Sequence, residues 1–340
     1  MDVKTGKLPL VVVLATGGTI AGRGGSTMSL SEYKAGTVLG EELIDAVPEV
    51  QQFARVRVEQ ITNVASPNIG TAVWCTLAAR INAIFEQDTE ARGIVITHGT
   101  STLEETAYFL NLTVKHDRPV VLVGAQRPAS ALSADGPLNL VNAVRTAASP
   151  DSRGRGVLVM LNDEINAARE VTKSNTYRVE TFRSGELGFL GYVDPDKVAY
   201  YRRPEKRHTV DSEFDLKAIG ALPMVDILYV YAQTNNVILI DALILAGVRG
   251  IVFAGTGAGG MSDAEKEAVR NIVSRESGLK PVFVRSTRTG NGRVFGRTEY
   301  DALGMIPADN LNPQKARILL MLALAKTSDL QEIRRMFSQY

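Results

Sequence analysis

The sequence predicts an α/β protein of two domains: a larger N-terminal domain on a mainly parallel sheet and a smaller C-terminal α/β domain. Three observations carry that reading. Short β-branched runs alternate with helical patterns, the signature of parallel strands joined by crossover helices. The alternation dissolves once, in the charged and aperiodic stretch YYRRPEKRHTVDSEFDLKAIGAL, and then resumes. A chain of 340 residues, 45% of them apolar, can also bury a large core, and that length favours two domains over one.

In chain order, the runs at 11–15, 93–97, 119–123 and 156–160 each precede a polar or Gly-rich turn and read as strands of the first sheet. The aperiodic stretch reads as a linker, which sets the boundaries at 1–201 for the first domain, 202–222 for the linker and 223–340 for the second. The runs at 225–231, 250–254 and 281–284 restart the strand pattern, with helices between them and two more at the C-terminus. Of these, NPQKARILLMLALAK reads as an amphipathic to buried helix, in the core or at a subunit contact. No repeat of short period and no low-complexity segment interrupts the pattern. In such sheets ligands sit at the C-terminal ends of the strands, so the informative residues are expected in the turns.

Composition narrows the partners. Lys and Arg number 38 against 37 Asp and Glu, so the summed field offers no attraction to nucleic acid or to an anionic membrane surface. A small-molecule substrate is the expected partner. The longest apolar runs, 10–15 and 318–325, fall short of the roughly 20 residues of a membrane span. The opening MDVKTGKLPL lacks the apolar region of a signal peptide, so a cytoplasmic location is expected, although a processed secreted chain would look the same. One cysteine, Cys75, excludes an internal disulfide and reads as packed on a helix. With three scattered histidines it makes no zinc cluster, and neither metal nor cofactor is expected.

The turns carry the chemistry. In ATGGTIAGRGG, Thr19 follows two glycines that let backbone approach a ligand closely, which makes it a candidate nucleophile. A threonine hydroxyl is a poor nucleophile at neutral pH and needs a base within reach, directly or through a second hydroxyl; a buried lysine suits. The glycine- and serine-rich segment 22–31 reads as a lid over the site, with Tyr33 near its far end as a possible proton carrier. The competing reading is that Thr19 only caps a helix and Tyr33 only packs.

ATGGTIAG, THGTSTLEET, VGAQRPASALSADGPLNL, NDEINAAREVTKSNT and LNPQKARILL occur in this order, and together they resemble the bacterial L-asparaginase and glutaminase-asparaginase family, type II-like. The resemblance runs over 8–340, and five separated blocks in register are specific where a single GGT would be weak. It implies a larger N-terminal and a smaller C-terminal α/β domain, and a homotetramer whose sites a neighbouring subunit completes. Thr19 matches the family's acylated threonine, Tyr33 its lid tyrosine, Thr100 its second active-site threonine and Lys173 the lysine that takes up a proton. The implied reaction is attack on a carboxamide carbonyl, release of ammonia and hydrolysis of the acyl-enzyme, with backbone amides near the turns holding the oxyanion. Gly18 and Gly99, within those turns, and Gln126 count among the substrate-binding positions, and Ser66 matches the residue that binds the substrate's α-carboxylate.

The resemblance breaks around one substrate group. Ser101 stands where the family has an aspartate that pairs with the α-ammonium, and it can keep the fold by forming an S-x-x-E capping box with Glu104. Pro67 replaces a glutamine that also reaches the ammonium, and proline supplies neither polar side chain nor amide hydrogen. Ala258 and Gly260 replace asparagines often found beside the same site, and within 294–299, where a neighbouring subunit's acid should fall, stand Arg297 and a displaced Glu299. A desolvated ammonium deprived of its carboxylate costs roughly 3 to 5 kcal/mol, on the order of a hundredfold to several thousandfold in affinity. The expected substrate is therefore a small carboxylate-bearing amide, or a related imide or lactone, without a free α-ammonium; asparagine itself is the alternative.

Readings from other classes compete. Gly255, Gly257 and Gly260 spell G-x-G-x-x-G between a strand and a helix, but the next strand offers arginine where a ribose-binding acid belongs. A binding protein that has lost catalysis is the remaining alternative, and retention of Thr19, Tyr33, Thr100 and Lys173 argues against it. His98 reads as a core or supporting hydrogen-bonding residue, Ser133 and Asp135 as beginning and capping a helix, and YYRRPEKRH as solvated surface.

Overall fold

Leu10–Gly17 (β1), LVVVLATG, is buried from end to end, as a strand covered on both faces of a parallel sheet must be. It opens a computed structural model that describes residues 7–340. Two compact units make up the chain, the first ending at Ser212 and the second spanning Glu213–Tyr340.

In the first unit β1 is followed by the short pair Arg23–Gly24 (β2) and Tyr33–Lys34 (β3), then Gly40–Asp45 (α1), Arg55–Val64 (β4), Thr71–Gln87 (α2), Ala91–Thr97 (β5) and Leu103–Thr113 (α3). Val120–Val123 (β6), Gly136–Ala148 (α4), Val157–Leu161 (β7), Glu164–Ala167 (β8), Thr172–Lys173 (β9), Phe182–Arg183 (β10), Gly191–Val193 (β11) and Val198–Tyr200 (β12) complete it. The main sheet runs β12-β11-β8-β7-β6-β5-β1-β4. From β4 to β7 it is parallel, and β8, β11 and β12 extend it antiparallel. On one face Val11, Val13, Val95 and Val121 pack with Leu43 and Ile44 of α1 and Leu140 and Val144 of α4. Trp74 of α2 stacks on Phe109 of α3, ring centroids 5.2 Å apart. The charged stretch after β12 is tied down as far as Ser212: Arg202 pairs with Glu170 at 2.5 Å, and the Ser212 hydroxyl donates to the Leu112 carbonyl.

The strand β4 has no counterpart among the sequence-predicted runs. Its RVRVEQITNV interleaves charge because it is an edge strand, half-buried along its length, with Glu59 held by Arg80 at 2.6 Å and Arg57 by Asp88 at 2.8 Å. The run is long and two-sided rather than apolar, so an apolar-run criterion passes over it.

The second unit comprises Val225–Tyr229 (β13), Asn236–Leu245 (α5), Gly250–Gly255 (β14), Asp263–Val273 (α6), Val282–Thr287 (β15), Thr298–Asp301 (α7), Ile306–Pro307 (β16), Pro313–Lys326 (α8) and Leu330–Gln339 (α9). Its sheet is parallel in the order β13-β14-β15-β16, and Ile251, Phe253, Phe283, Val269 and Met305 fill its core. The helix α8 packs on β13 and β14 and is largely buried, in line with its apolar sequence. The helix α5, NVILIDALIL, is apolar apart from Asn236 and Asp241 and leaves Ile238 and Leu245 exposed at 69% and 89%.

Three glycines of the G-x-G-x-x-G stretch close a turn on itself: Thr256 and Gly260 exchange backbone hydrogen bonds, and Thr287 donates to the Gly257 carbonyl. The helix that follows, α6, is capped by Ser262 and Glu265 in a reciprocal capping box. Ala258 lies within this turn. Arg297, at the N-cap of α7, sits over the Phe295 ring, and Glu299 pairs with Lys266 at 3.2 Å.

Candidate active site

The turn after β1 and the turn after β5 meet through their glycines. Gly17 and Gly18 have φ of 100° and 85°, the left-handed region that glycine takes without strain. A Cβ on Gly18 would fall 2.3 Å from the Gly99 Cα, so any side chain there would drive the two turns apart. A Cβ on Gly99 would in turn meet the Ser66 hydroxyl at 2.8 Å. These contacts bring the two turns whose next residues are Thr19 and Thr100 against each other, with Ser66 of the turn after β4 beside Gly99.

Each threonine is buried, 8% and 5% exposed, and each has one hydroxyl or amine partner from elsewhere in the chain. The Thr19 hydroxyl lies 2.7 Å from the Tyr33 hydroxyl. Lys173 donates its Nζ to the Thr100 hydroxyl at 2.8 Å, and burial holds the Lys173 amine below the ordinary lysine range. Tyr33 reaches Thr19 because β3 pairs with β2, and the intervening loop is stitched to the segment after β6. Ala129 N–H donates to the Gly22 carbonyl at 2.9 Å, Gly24 N–H to the Ser130 hydroxyl at 2.9 Å and Leu132 N–H to the Thr27 carbonyl at 2.8 Å.

The remaining predicted positions are placed as follows. Ser66 is buried and begins the short turn Ser66–Asn68 that contains Pro67. The Ser66 carbonyl accepts from the Thr102 hydroxyl at 2.8 Å, which fastens that turn to the start of α3. The Gly18 N–H is committed to the Val64 carbonyl at 3.1 Å, so this residue offers close approach rather than a free donor. Gln126 is buried, and its Nε2 has no hydrogen-bond partner among the described residues. Ser101 is exposed and lines a pocket of about 450 Å³ with Glu104, Lys173, Ser174, Asn175 and Thr176.

Two local expectations are corrected. Ser101 and Glu104 do not form a capping box: α3 begins at Leu103, its N-cap is Thr102, and no side chain caps it. The Glu104 carboxylate instead reaches across to β9, accepting from the Thr172 hydroxyl at 2.9 Å and from the Lys173 N–H at 3.2 Å. Asp135 does stand at the N-cap of α4, but its carboxylate does not bond that helix's N-terminal N–H groups. It accepts from the N–H groups of Gln126 and Arg127, both at 2.9 Å, and so shapes the turn after β6. In both cases a tertiary donor outcompetes the local one, which sequence spacing cannot reveal. Ser133 lies just before, with φ of 58°.

His98 supports the site from behind. Its Nδ1 is 2.8 Å from the Gly99 carbonyl, which can only accept, so Nδ1 carries the proton. Nε2 then accepts from the Thr106 hydroxyl at 2.9 Å, and Thr106 accepts from the Trp74 indole at 2.8 Å. Burial pushes the imidazole pKa down to about 4, consistent with a neutral ring that orients the Gly99 turn. Among the described residues no three His, Cys, Asp or Glu side chains gather as a metal site requires, and no helix is long and apolar enough to cross a membrane.

Comparison with known proteins places this geometry. The family "Asparaginase, N-terminal" matches residues 10–206, and "Glutaminase/Asparaginase C-terminal domain" matches residues 224–337. The chain is 50% identical to L-asparaginase 2 of Bacillus subtilis over 98% of its own length and 87% of that protein's. It is 46% identical to L-asparaginase 2 of Escherichia coli over 98% of its length and 94% of that protein's. Among solved structures it resembles the "Probable Cytoplasmic L-asparaginase from Campylobacter jejuni", with a TM-score of 0.94 and 43% identity, covering 98% of this chain and all of that one. Similarity of this extent, on both domains and over nearly the whole length, makes the chain a member of the asparaginase family, hydrolases that act on amide carbon–nitrogen bonds.

Proposed function

We propose that the chain is an amidohydrolase with Thr19 as its nucleophile, acting on a small carboxylate-bearing amide, or a related imide or lactone, that lacks a free α-ammonium. The observation that carries this reading is the pairing of two buried threonine hydroxyls, Thr19 with Tyr33 at 2.7 Å and Thr100 with Lys173 at 2.8 Å, in turns that touch through Gly18 and Gly99. Thr19 Oγ1 adds to the carboxamide carbonyl as its proton is relayed through the Tyr33 hydroxyl, which takes that proton and gives its own to the departing nitrogen. The carbon–nitrogen bond then breaks and the nitrogen leaves as ammonia. Water activated beside Thr100 and Lys173 cleaves the acyl-threonine ester, releasing the acid and restoring Thr19. Backbone N–H groups of the two turns, other than the committed Gly18, stabilise the oxyanion. Ser66 binds the substrate carboxylate, Pro67 and Ser101 leave the α-position without an acid, and Gln126, whose buried Nε2 has no partner among the described residues, adds a substrate-binding donor.

The test is direct. Thr19→Ala should abolish amide hydrolysis, and mass spectrometry of the rapidly quenched parent enzyme should find an acyl group on the peptide that contains Thr19. Retained turnover in Thr19→Ala would remove the nucleophile from this reading.

The second reading is an ordinary L-asparaginase that yields aspartate and ammonia, favoured by the names of the bacterial relatives at 50% and 46% identity. Rates on asparagine against succinamate and maleamate separate the two. We also propose a homotetramer acting in the cytoplasm. The exposed apolar face of α5 supports association, and the name of the Campylobacter jejuni protein supports the location. Light scattering of the purified chain and fractionation of cells test these points.

A further inference from the structure

We propose that Asn291 is a site of spontaneous modification, at which the chain converts its own carboxamide into a carboxylate and releases ammonia. The inference does not depend on the hydrolase reading, because both reacting groups belong to one dipeptide.

Asn291 is the one asparagine of the chain that a glycine follows. That neighbour decides the chemistry. The backbone nitrogen of residue 292 has to approach the Asn291 Cγ, and a side chain on residue 292 would stand in its way. Gly292 has none, and glycine also takes up backbone conformations closed to other residues.

The local structure leaves the pair able to react. Asn291 and Gly292 are both exposed, in the loop that joins β15 to the segment before α7. Among the described residues no hydrogen bond holds the Asn291 carboxamide or the Gly292 N–H. Gly290 and Gly292 have φ of 90° and 88°, and a Cβ built on either would meet no atom of this chain within 4 Å. The ends of the loop, by contrast, are fastened. Arg288 N–H donates to the Gly255 carbonyl at 3.0 Å and Thr289 N–H to the Thr287 hydroxyl at 3.1 Å. Val294 N–H donates to the Asp309 carbonyl at 2.9 Å, and Arg293 pairs with the Asp309 carboxylate at 2.5 Å. Only the span 290–292 is unfastened, and rearranging it breaks no hydrogen bond and unpacks no side chain.

Other asparagines are held. Asn111 accepts from the Val157 N–H and Asn142 donates to Asp163, both from buried positions. Asn175, nearer the surface, accepts from the N–H groups of Tyr177 and Arg178 at 2.9 and 3.0 Å. Cyclisation at any of these would have to break such bonds first.

The steps balance without an oxidant or reductant. Hydroxide takes the Gly292 N–H proton, the nitrogen adds to Asn291 Cγ, and the Cγ–Nδ2 bond breaks as Nδ2 gains a proton and leaves as ammonia. One water then opens the five-membered succinimide. Cleavage between Cγ and the Gly292 nitrogen gives aspartate at position 291, and cleavage at the main-chain carbonyl gives isoaspartate. Each conversion lowers the formal net charge of +1 by one unit and places a carboxylate between Arg288 and Arg293.

The test is to incubate the purified full chain at pH 7 and pH 9, digest it at pH 5 and follow every asparagine-containing peptide by chromatography and mass spectrometry. The peptide with Asn291 should gain the mass of NH replaced by O and split into aspartate and isoaspartate forms. It should do so faster at pH 9, and about tenfold or more faster than any other asparagine peptide. Asn291→Gln, whose longer side chain does not form the five-membered ring, should leave that peptide unchanged. Thr19→Ala should convert Asn291 at the parent rate; conversion lost in that variant would mean that the enzyme acts on itself, and would overturn the intramolecular route. An intact Asn291 peptide in the folded chain, with conversion only after urea unfolding, would show that the loop is protected and would also overturn the site. So would another asparagine that reacts as fast.

Discussion

Lys173 donates its Nζ to the Thr100 hydroxyl at 2.8 Å, while burial holds its pKa below the ordinary lysine range. The two facts belong together, because a desolvated amine loses its proton more readily and a neutral amine can accept one from the hydroxyl or from a water beside it. If Lys173 acts as that base, kcat rises with pH through the Lys173 pKa, and the midpoint falls below the ordinary value of about 10.4. Lys173→Met should lower kcat by about a hundredfold or more, with a much smaller change in KM, and should erase that limb of the profile. A kcat profile from pH 6 to 10 on both enzymes decides it; an unchanged limb in the variant would assign the titration elsewhere.

The reach of Lys173 depends on Glu104, whose buried carboxylate holds the Thr172 hydroxyl and the Lys173 N–H. Glu104→Ala strands both donors, which costs about 1–3 kcal/mol, and should lower kcat about tenfold as the short strand β9 loosens. Glu104→Gln keeps an acceptor oxygen and should recover most of that loss. Urea midpoints measured alongside the rates separate a general loss of fold from a local one. Equal damage in both variants would show that the negative charge, rather than the clamp, is what the site needs.

The glutamate also marks the limit of what the sequence makes legible. The parallel strands β1, β5, β6 and β7, the three long strands of the second sheet and the late helices α8 and α9 follow from apolar runs and their spacing. Thr100 and Lys173 are singled out by the family resemblance rather than by spacing, and the structure pairs Thr19 with Tyr33 and Thr100 with Lys173. What spacing cannot supply is the partner of a polar side chain. Glu104 and Asp135 both sit where local capping is available, and both turn to donors from other segments instead. The edge strand β4 escapes for a related reason: its charges are satisfied by Arg80 and Asp88, far along the chain, so the strand needs no apolar pattern.

Recognition of the α-position offers a constructive test. Ser101 is exposed at the pocket and Pro67 sits at the start of the turn Ser66–Asn68, a place where the missing N–H is not needed by the turn. Ser101→Asp with Pro67→Gln restores an acid and an amide there without changing a buried apolar residue. The double variant should gain about tenfold or more in kcat/KM on asparagine, with stability altered by less than about 1 kcal/mol from the lost proline. Steady-state rates on asparagine and succinamate give the answer, and no gain on asparagine would count against the missing-ammonium account.

His98 makes a pH-dependent contribution to stability that can be isolated. Fully buried and hydrogen-bonded to Thr106 and to the Gly99 carbonyl, it has its pKa pushed down to about 4 by burial, against an unfolded value of 6.5. Between those values the unfolded chain takes up a proton that the folded chain refuses. The stability it confers is therefore complete above pH 6.5 and is lost as pH falls toward 4, a difference of about 3 kcal/mol over the window. His208, also held down by burial, adds in the same direction, as do carboxylates that titrate lower, so the wild type alone cannot assign the effect. His98→Asn removes the titrating ring and breaks the chain from Trp74 through Thr106 to the turn of Gly99. The variant should be less stable than wild type at pH 8, and the gap should narrow by most of that amount at pH 4.5. Urea unfolding of both proteins at pH 8, 6 and 4.5 reads the difference directly, and a gap that stays constant with pH would mean that His98 is protonated in the folded chain after all.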